Sequence, residues 1–158
     1  MRILRSSKLM AVAACTVIAS AGLAVSQVAT SSNKAVAARH AQMQVIGYHI
    51  GVLGAVAKGE MAYDSAMVDA AATNIATLAT LQRPPMWTDG TEQGAADGSR
   101  AKAEIWSDPG GFADGFAVLE KAALAIVGAA DSGAVGAGMG DLGGACKACH
   151  EKYRGPKN

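Results

Sequence analysis

The stretch D-L-G-G-A-C-K-A-C-H-E-K-Y-R, Asp141 to Arg154, sets the terms for the rest of the chain. On a helix, positions i, i+3 and i+4 share a face. Cys146, Cys149 and His150 therefore project together, and Leu142 and Tyr153 continue the same stripe. A helix with an apolar line on one side must bury that side against other elements. Two thiols beside an imidazole suit three chemistries: a redox dithiol, part of a zinc site, or covalent haem attachment.

Working back from that stretch, helical spacing recurs and strand alternation does not. Arg39, Met43, Ile46, Ile50, Leu53 and Ala57 are spaced 4, 3, 4, 3, 4, a heptad-like seam on one long helix that Gly59 breaks. Val68, Ala71, Ile75 and Leu78 mark a second helix, ended by R-P-P at Arg83 to Pro85. The run from Met86 to Ser99 is turn-rich and without period, hence a long connection. A short turn around Ala103 to Trp106 follows. Phe112, Phe116, Leu119, Ala123, Ile126 and Ala130 then define a third long helix, and D-S-G separates it from a fourth, from about Ala134 to Arg154. The spacing predicts an all-α protein, an antiparallel up-down-up-down four-helix bundle with its long connection between helices 2 and 3.

Composition agrees. The 158 residues are enough for one core, and 51% are hydrophobic while only 4% are aromatic, so small apolar side chains dominate. A net charge of +1, with no basic run interleaved with aromatics, gives no footprint for nucleic acid. The N-terminus reads as a secretory signal: Arg2, Arg5 and Lys8 precede a charge-free apolar run that ends in small residues. Cleavage after Ser26 is expected, giving a signal peptide over 1–26 and a bundle over 27–158. The run is short for a membrane span, so no stable anchor is expected, and Cys15 leaves with the signal. Removing those three cations leaves eleven basic against thirteen acidic residues, net −2, and two cysteines in an oxidising, periplasmic compartment.

That context weighs the three chemistries. A thioredoxin-like dithiol needs a strand-to-helix junction, and no strand is expected. Zinc would need a further ligand, while His40 and His49 lie on the first helix, with His49 one residue off the seam. A disulfide between i and i+3 of a regular helix has poor geometry. C-x-x-C-H is far more specific than C-x-x-C and favours c-type haem, which is attached outside the cytoplasm.

With these residues in view, the chain resembles the class II c-type cytochromes, which include cytochrome c′ and its low-spin relatives. D-L-G-G-A-C-K-A-C-H-E-K-Y-R looks like that family's C-terminal signature. R-H-A-Q-M at Arg39 to Met43, V-L-G-A-V-A-K-G-E followed by Y-D, D-G-T-E-Q-G, and E-I-W-S-D are similar to other family segments. The resemblance implies one haem c, with thioethers on Cys146 and Cys149 and His150 as proximal iron ligand. It places Arg39 and His40 near the haem edge and propionates, Thr91 and Glu92 in a loop touching the haem, and Arg154 on the proximal side. It further implies redox partner proteins, and a homodimer through the first two helices.

Met43 carries the remaining choice. In cytochrome c′ a non-ligating residue at the matching place leaves iron five-coordinate. In low-spin members a Met there is the sixth ligand, a soft thioether that favours ferrous iron and suits electron transfer. A Met filling space over the haem is the alternative. The first reading makes the protein a periplasmic single-electron carrier in a respiratory or photosynthetic chain. The second makes it a binder of nitric oxide or carbon monoxide. Neither makes it an enzyme, and the seam offers Met43, Ile46 and Ile50 where a peroxidase would need a distal acid–base pair.

Overall fold

The computed structural model describes residues 31–157, so the expected signal peptide over 1–26 and Cys15 lie outside the described residues. Five helices follow in order: α1 (Lys34–Ala57), α2 (Ser65–Ala79), the one-turn α3 (Glu104–Ser107), α4 (Pro109–Leu124) and α5 (Ser132–Tyr153). Each long helix opens on an Asn or Asp whose side chain accepts from its first free N–H groups: Asn33, Asp64, Asp108 and Asp131. Each such cap contributes about 1 kcal/mol. Pro109 occupies the first turn of α4, where no backbone donor is needed.

α1 packs on α2 and α5, and α4 on the same two helices, so the four long helices close a ring in sequence order. This is the antiparallel four-helix bundle, with the long connection at residues 80–103 between α2 and the α3–α4 pair. No strand forms among the described residues, only the isolated bridges Gln93–Ala96 and Ala101–Arg154. Buried Ala71, Ala72, Ala76 and Ala79 on α2, and Ala122 and Ala123 on α4, let these two helices approach closely. Bulk is concentrated elsewhere. Phe112 packs edge-on against Trp87, Phe116 and Tyr153, with ring centroids 4.7, 5.3 and 5.2 Å apart. Most of the chain's aromatic side chains thus gather at one end.

The seam of α1 and three boundaries differ from expectation, the first boundary being the end of α2 at Ala79, ahead of R-P-P. The core line of α1 is Val36, Arg39, Gln42, Ile46, Leu53 and Val56. Val56 replaces Ala57 in it, and Met43 and Ile50 are only half-buried. α4 stops at Leu124, not Ala130: the chain turns through Gly128 at φ 78°, and Ile126 is buried from that turn. α5 begins at Ser132 because Asp131 caps it, two residues earlier than the spacing suggested. His49 is half-buried, not a free surface group. Its Nε2 lies 3.3 Å from Asn74 Nδ2 and links α1 to α2.

Candidate haem site

Beside the aromatic cluster lies a cavity of about 650 Å³, within the range of cofactor sites. α5 lines it with Ala145, Cys146, Cys149, His150 and Tyr153, spaced as the helical period demands. α1 contributes His40, Met43, Ile46, Gly47 and Ile50, and α4 contributes Phe112, Gly115, Phe116 and Leu119. A Cβ added at Gly115 would stand 3.3 Å from Cys149 Sγ, so a glycine at this position lets α4 lie against the thiol.

Both thiols are free. Burial pushes each thiol up, and at Cys149 the neighbouring Cys146 adds to the effect. A redox dithiol needs the opposite, a thiol shifted down by its surroundings. Burial pushes the His150 imidazole down, helped by the cations of Arg154 and Arg100. A neutral ring keeps a nitrogen lone pair free for a metal.

Arg39 supplies the buried charge of the site, beside Arg100 and Arg154 in the lining of the same cavity. It is 4% exposed, and its guanidinium donates to Thr91 Oγ1 at 3.1 Å, the Thr91 carbonyl at 2.9 Å and Ser99 Oγ at 3.4 Å. It also stacks 4.5 Å from the centre of the Trp87 ring. Every one of these partners is neutral. Burial pushes the guanidinium below its usual range, yet it stays protonated at any ordinary pH. A buried cation without a carboxylate, at the rim of an apolar cavity, calls for an anion from outside the chain.

Cys146, Cys149, His150, Arg39, His40, Met43 and Arg154 all line this one cavity. Thr91 reaches it only through Arg39. Glu92 is off its wall, and its carbonyl accepts from Ala95 and Ala96 within the loop. Trp87, Ser99 and Arg100 belong to the site as well and carry no periodic signal in the sequence. Haem c is an apolar plate with two carboxylates, two thioether bonds and an iron. The residues present fit it: paired thiols, a neutral imidazole, apolar walls and an unpaired buried cation. Among the described residues no three His, Cys, Asp or Glu side chains group closely enough to hold a metal ion.

A four-helix bundle with this site defines a c-type cytochrome of the bundle class. The family model described as Cytochrome C′ matches residues 34–154. The chain is 35% identical to cytochrome c-554 of Cereibacter sphaeroides over 133 residues, 83% of this chain and 87% of that one. It is 36% identical to cytochrome c′ of the same organism, covering 85% and 91% respectively. A nitric oxide complex of a cytochrome c′ variant from Alcaligenes xylosoxidans shares the fold at TM-score 0.65 and 32% identity, over 77% of this chain and 94% of that one. The chain belongs to the cytochrome c′ family, and its cofactor is haem c.

Proposed function

We propose that the protein carries single electrons through a low-spin haem c in the periplasm. The carrying observation is that Met43 lines the α1 wall of the same cavity whose α5 wall holds His150. Bound haem c supplies a reversible one-electron site. Cys146 and Cys149 would anchor it as thioethers, and His150 and Met43, on different walls of the cavity, would be the residues that hold its iron. Arg39, braced by Thr91 and Ser99, holds a propionate, with His40 beside it on α1. Arg154 keeps positive charge near His150. Ile46, Ile50, Phe112 and Phe116 exclude water, which keeps reorganisation on electron transfer small. The N-terminal signal pattern supports a periplasmic location. An outward stripe on α1, Val45 at 45% and Tyr48 at 68% exposure, supports a homodimer through α1 and α2.

The second reading is gas binding at an open distal position. The nitric oxide complex of the Alcaligenes protein favours it. So does Gly47, whose absent Cβ would meet nothing within 4 Å, leaving room beside Met43. Visible spectra of the purified, loaded protein decide. The ferric form is expected to be low-spin, and Met43→Ala is expected to turn it high-spin and speed carbon monoxide binding to the reduced form. A high-spin ferric parent at neutral pH would replace the carrier with the gas binder.

A further inference from the structure

α4 and α5 meet through residues of complementary size. Gly111 of α4 lies against Tyr153 of α5, and a Cβ there would stand 2.7 Å from the Tyr153 hydroxyl. One turn on, Gly115 lies against Cys149, and a Cβ there would stand 3.3 Å from Sγ and 3.6 Å from the Cys149 Cβ. The same antiparallel step of four brings the register to Leu119 and Ala145, both buried, with the large residue now on α4. Small side chains on one helix thus match large ones on the other.

The two glycines have different reasons. Gly111 makes room for the hydrogen bond from Tyr153 to Asp108, 2.8 Å long, which is complete within the chain. Gly115 faces only a free thiol. A free thiol relieves a tight contact by turning about its Cα–Cβ bond. An alanine would therefore fit beside the unattached Cys149, and it would favour the helix more than glycine does. Yet position 115, in the interior of α4, is glycine, and both it and Cys149 line the haem cavity.

Attachment changes the space that this sulfur needs. When a thiol adds across a porphyrin vinyl group, the S–H bond and the π bond break and an S–C bond forms at the carbon next to the ring. The proton goes to the outer carbon, which becomes a methyl group. Nothing leaves, and no electron is gained or lost overall. The sulfur now bears a branched carbon and is held at both ends, so it can no longer turn away from a neighbour. We infer that Gly115 is a specificity-determining residue for haem attachment: the missing side chain on α4 admits the Cys149 thioether, and a larger residue there limits the bundle to the single thioether on Cys146. The inference rests on Cys149 as a thioether position, and the parent protein tests that separately.

The parent, Gly115→Ala, Gly115→Val and Gly110→Ala are each expressed with a cytochrome c maturation system. Two measurements count thioethers. The reduced pyridine haemochrome moves its α-band to the red when a vinyl group survives, and iodoacetamide labels Cys149 in the denatured protein only if its sulfur is unbonded. The parent is expected to be unlabelled. Labelling of Cys149 is expected to rise from Gly115→Ala to Gly115→Val, at least about threefold over the parent in the latter, with the α-band shifted and Cys146 still blocked. Gly110→Ala, where a Cβ meets nothing within 4 Å, is expected to match the parent. A Cys149→Ala background separates attachment from packing: there Gly115→Ala is expected to leave the yield of haem held by Cys146 unchanged. An equal loss of haem in both backgrounds would overturn the inference and leave Gly115 a packing residue, as would two intact thioethers in Gly115→Val. A parent whose Cys149 is already labelled would remove the attachment reading, and the inference with it.

Discussion

Arg39 and Asp108 show how single side chains organise this molecule. Arg39 opens the seam of the first helix in the sequence, an unusual place for a residue that is rarely fully buried without a partner. It is buried because the connection between α2 and α3 folds back to give it Thr91 and Ser99, and those contacts span 52 and 60 residues. No local pattern encodes such partners. Asp108 joins two helices at once: Oδ1 caps α4 by accepting from Gly111 N at 3.0 Å, and Oδ2 accepts from Lys152 and Tyr153 at the end of α5. The Lys152 hydrogen bond first, then Tyr153 and the Gly111 amide, hold its carboxyl down at about 2, against 3.8 for a free side chain. A depressed folded value means that the stabilisation is complete above the unfolded value and disappears as protons fill the site. The contribution of Asp108 is thus full above about pH 4 and lost as pH falls toward 2. Urea midpoints of the parent and of Asp108→Asn, measured from pH 6 to pH 2, are expected to differ at neutral pH and converge at the acid end. A constant difference across that range would exclude the ionised carboxylate as the source.

At the scale of the element, α5 is the unusual one. Gly133, Gly136, Gly138, Gly140, Gly143 and Gly144 fall within its 22 residues, and each helical glycine costs about 0.5–1 kcal/mol relative to alanine. The helix that carries the haem motif would not stand alone, so packing and the cofactor must hold it. Its glycines are not equivalent. A Cβ at Gly138 would come within 2.5 Å of Ile126 Cγ1, the side chain buried by the early turn out of α4, whereas a Cβ at Gly144 meets nothing within 4 Å. Gly144→Ala is therefore expected to stabilise the loaded protein by about 0.5–1 kcal/mol. Gly138→Ala is expected to destabilise it by about 1–3 kcal/mol through overpacking. Chemical denaturation of the two variants reads the contrast, and shifts of the same sign would show that propensity alone governs α5. Helix count and order were legible because the 3.6-residue period is local. The end of α4 was not, since Ile126 keeps the apolar spacing after the backbone has already left the helix.

For the whole molecule, the motif Cys146, Cys149 and His150 could be read directly, because spacing on one helix fixes which groups share a face. The cavity they line depends on how far apart α1, α4 and α5 stand, and no single segment holds that distance. Gln42 illustrates the gap: the seam passed over it, yet it is buried and its Nε2 reaches the Leu78 carbonyl at 2.7 Å. The size of the cavity also bears on what keeps the bundle folded. At about 24 cal/mol per Å³, leaving some 650 Å³ unfilled would cost about 16 kcal/mol, an upper bound because the cavity opens to solvent. Net stabilities of domains are about 5–15 kcal/mol, so a cofactor that fills even part of this space adds substantially to the stability of the bundle. Haem is then a part of the core as well as the cofactor. Cys146→Ala/Cys149→Ala protein, stripped of any residual haem by acid–acetone, is expected to keep much of its far-ultraviolet helical signal while losing near-ultraviolet structure and its cooperative unfolding transition. The parent, treated the same way, should retain its haem through the thioethers. A stripped double variant that unfolds cooperatively, within about 2 kcal/mol of the loaded parent, would mean that α1, α4 and α5 close over the space by themselves and that the bundle does not depend on its cofactor.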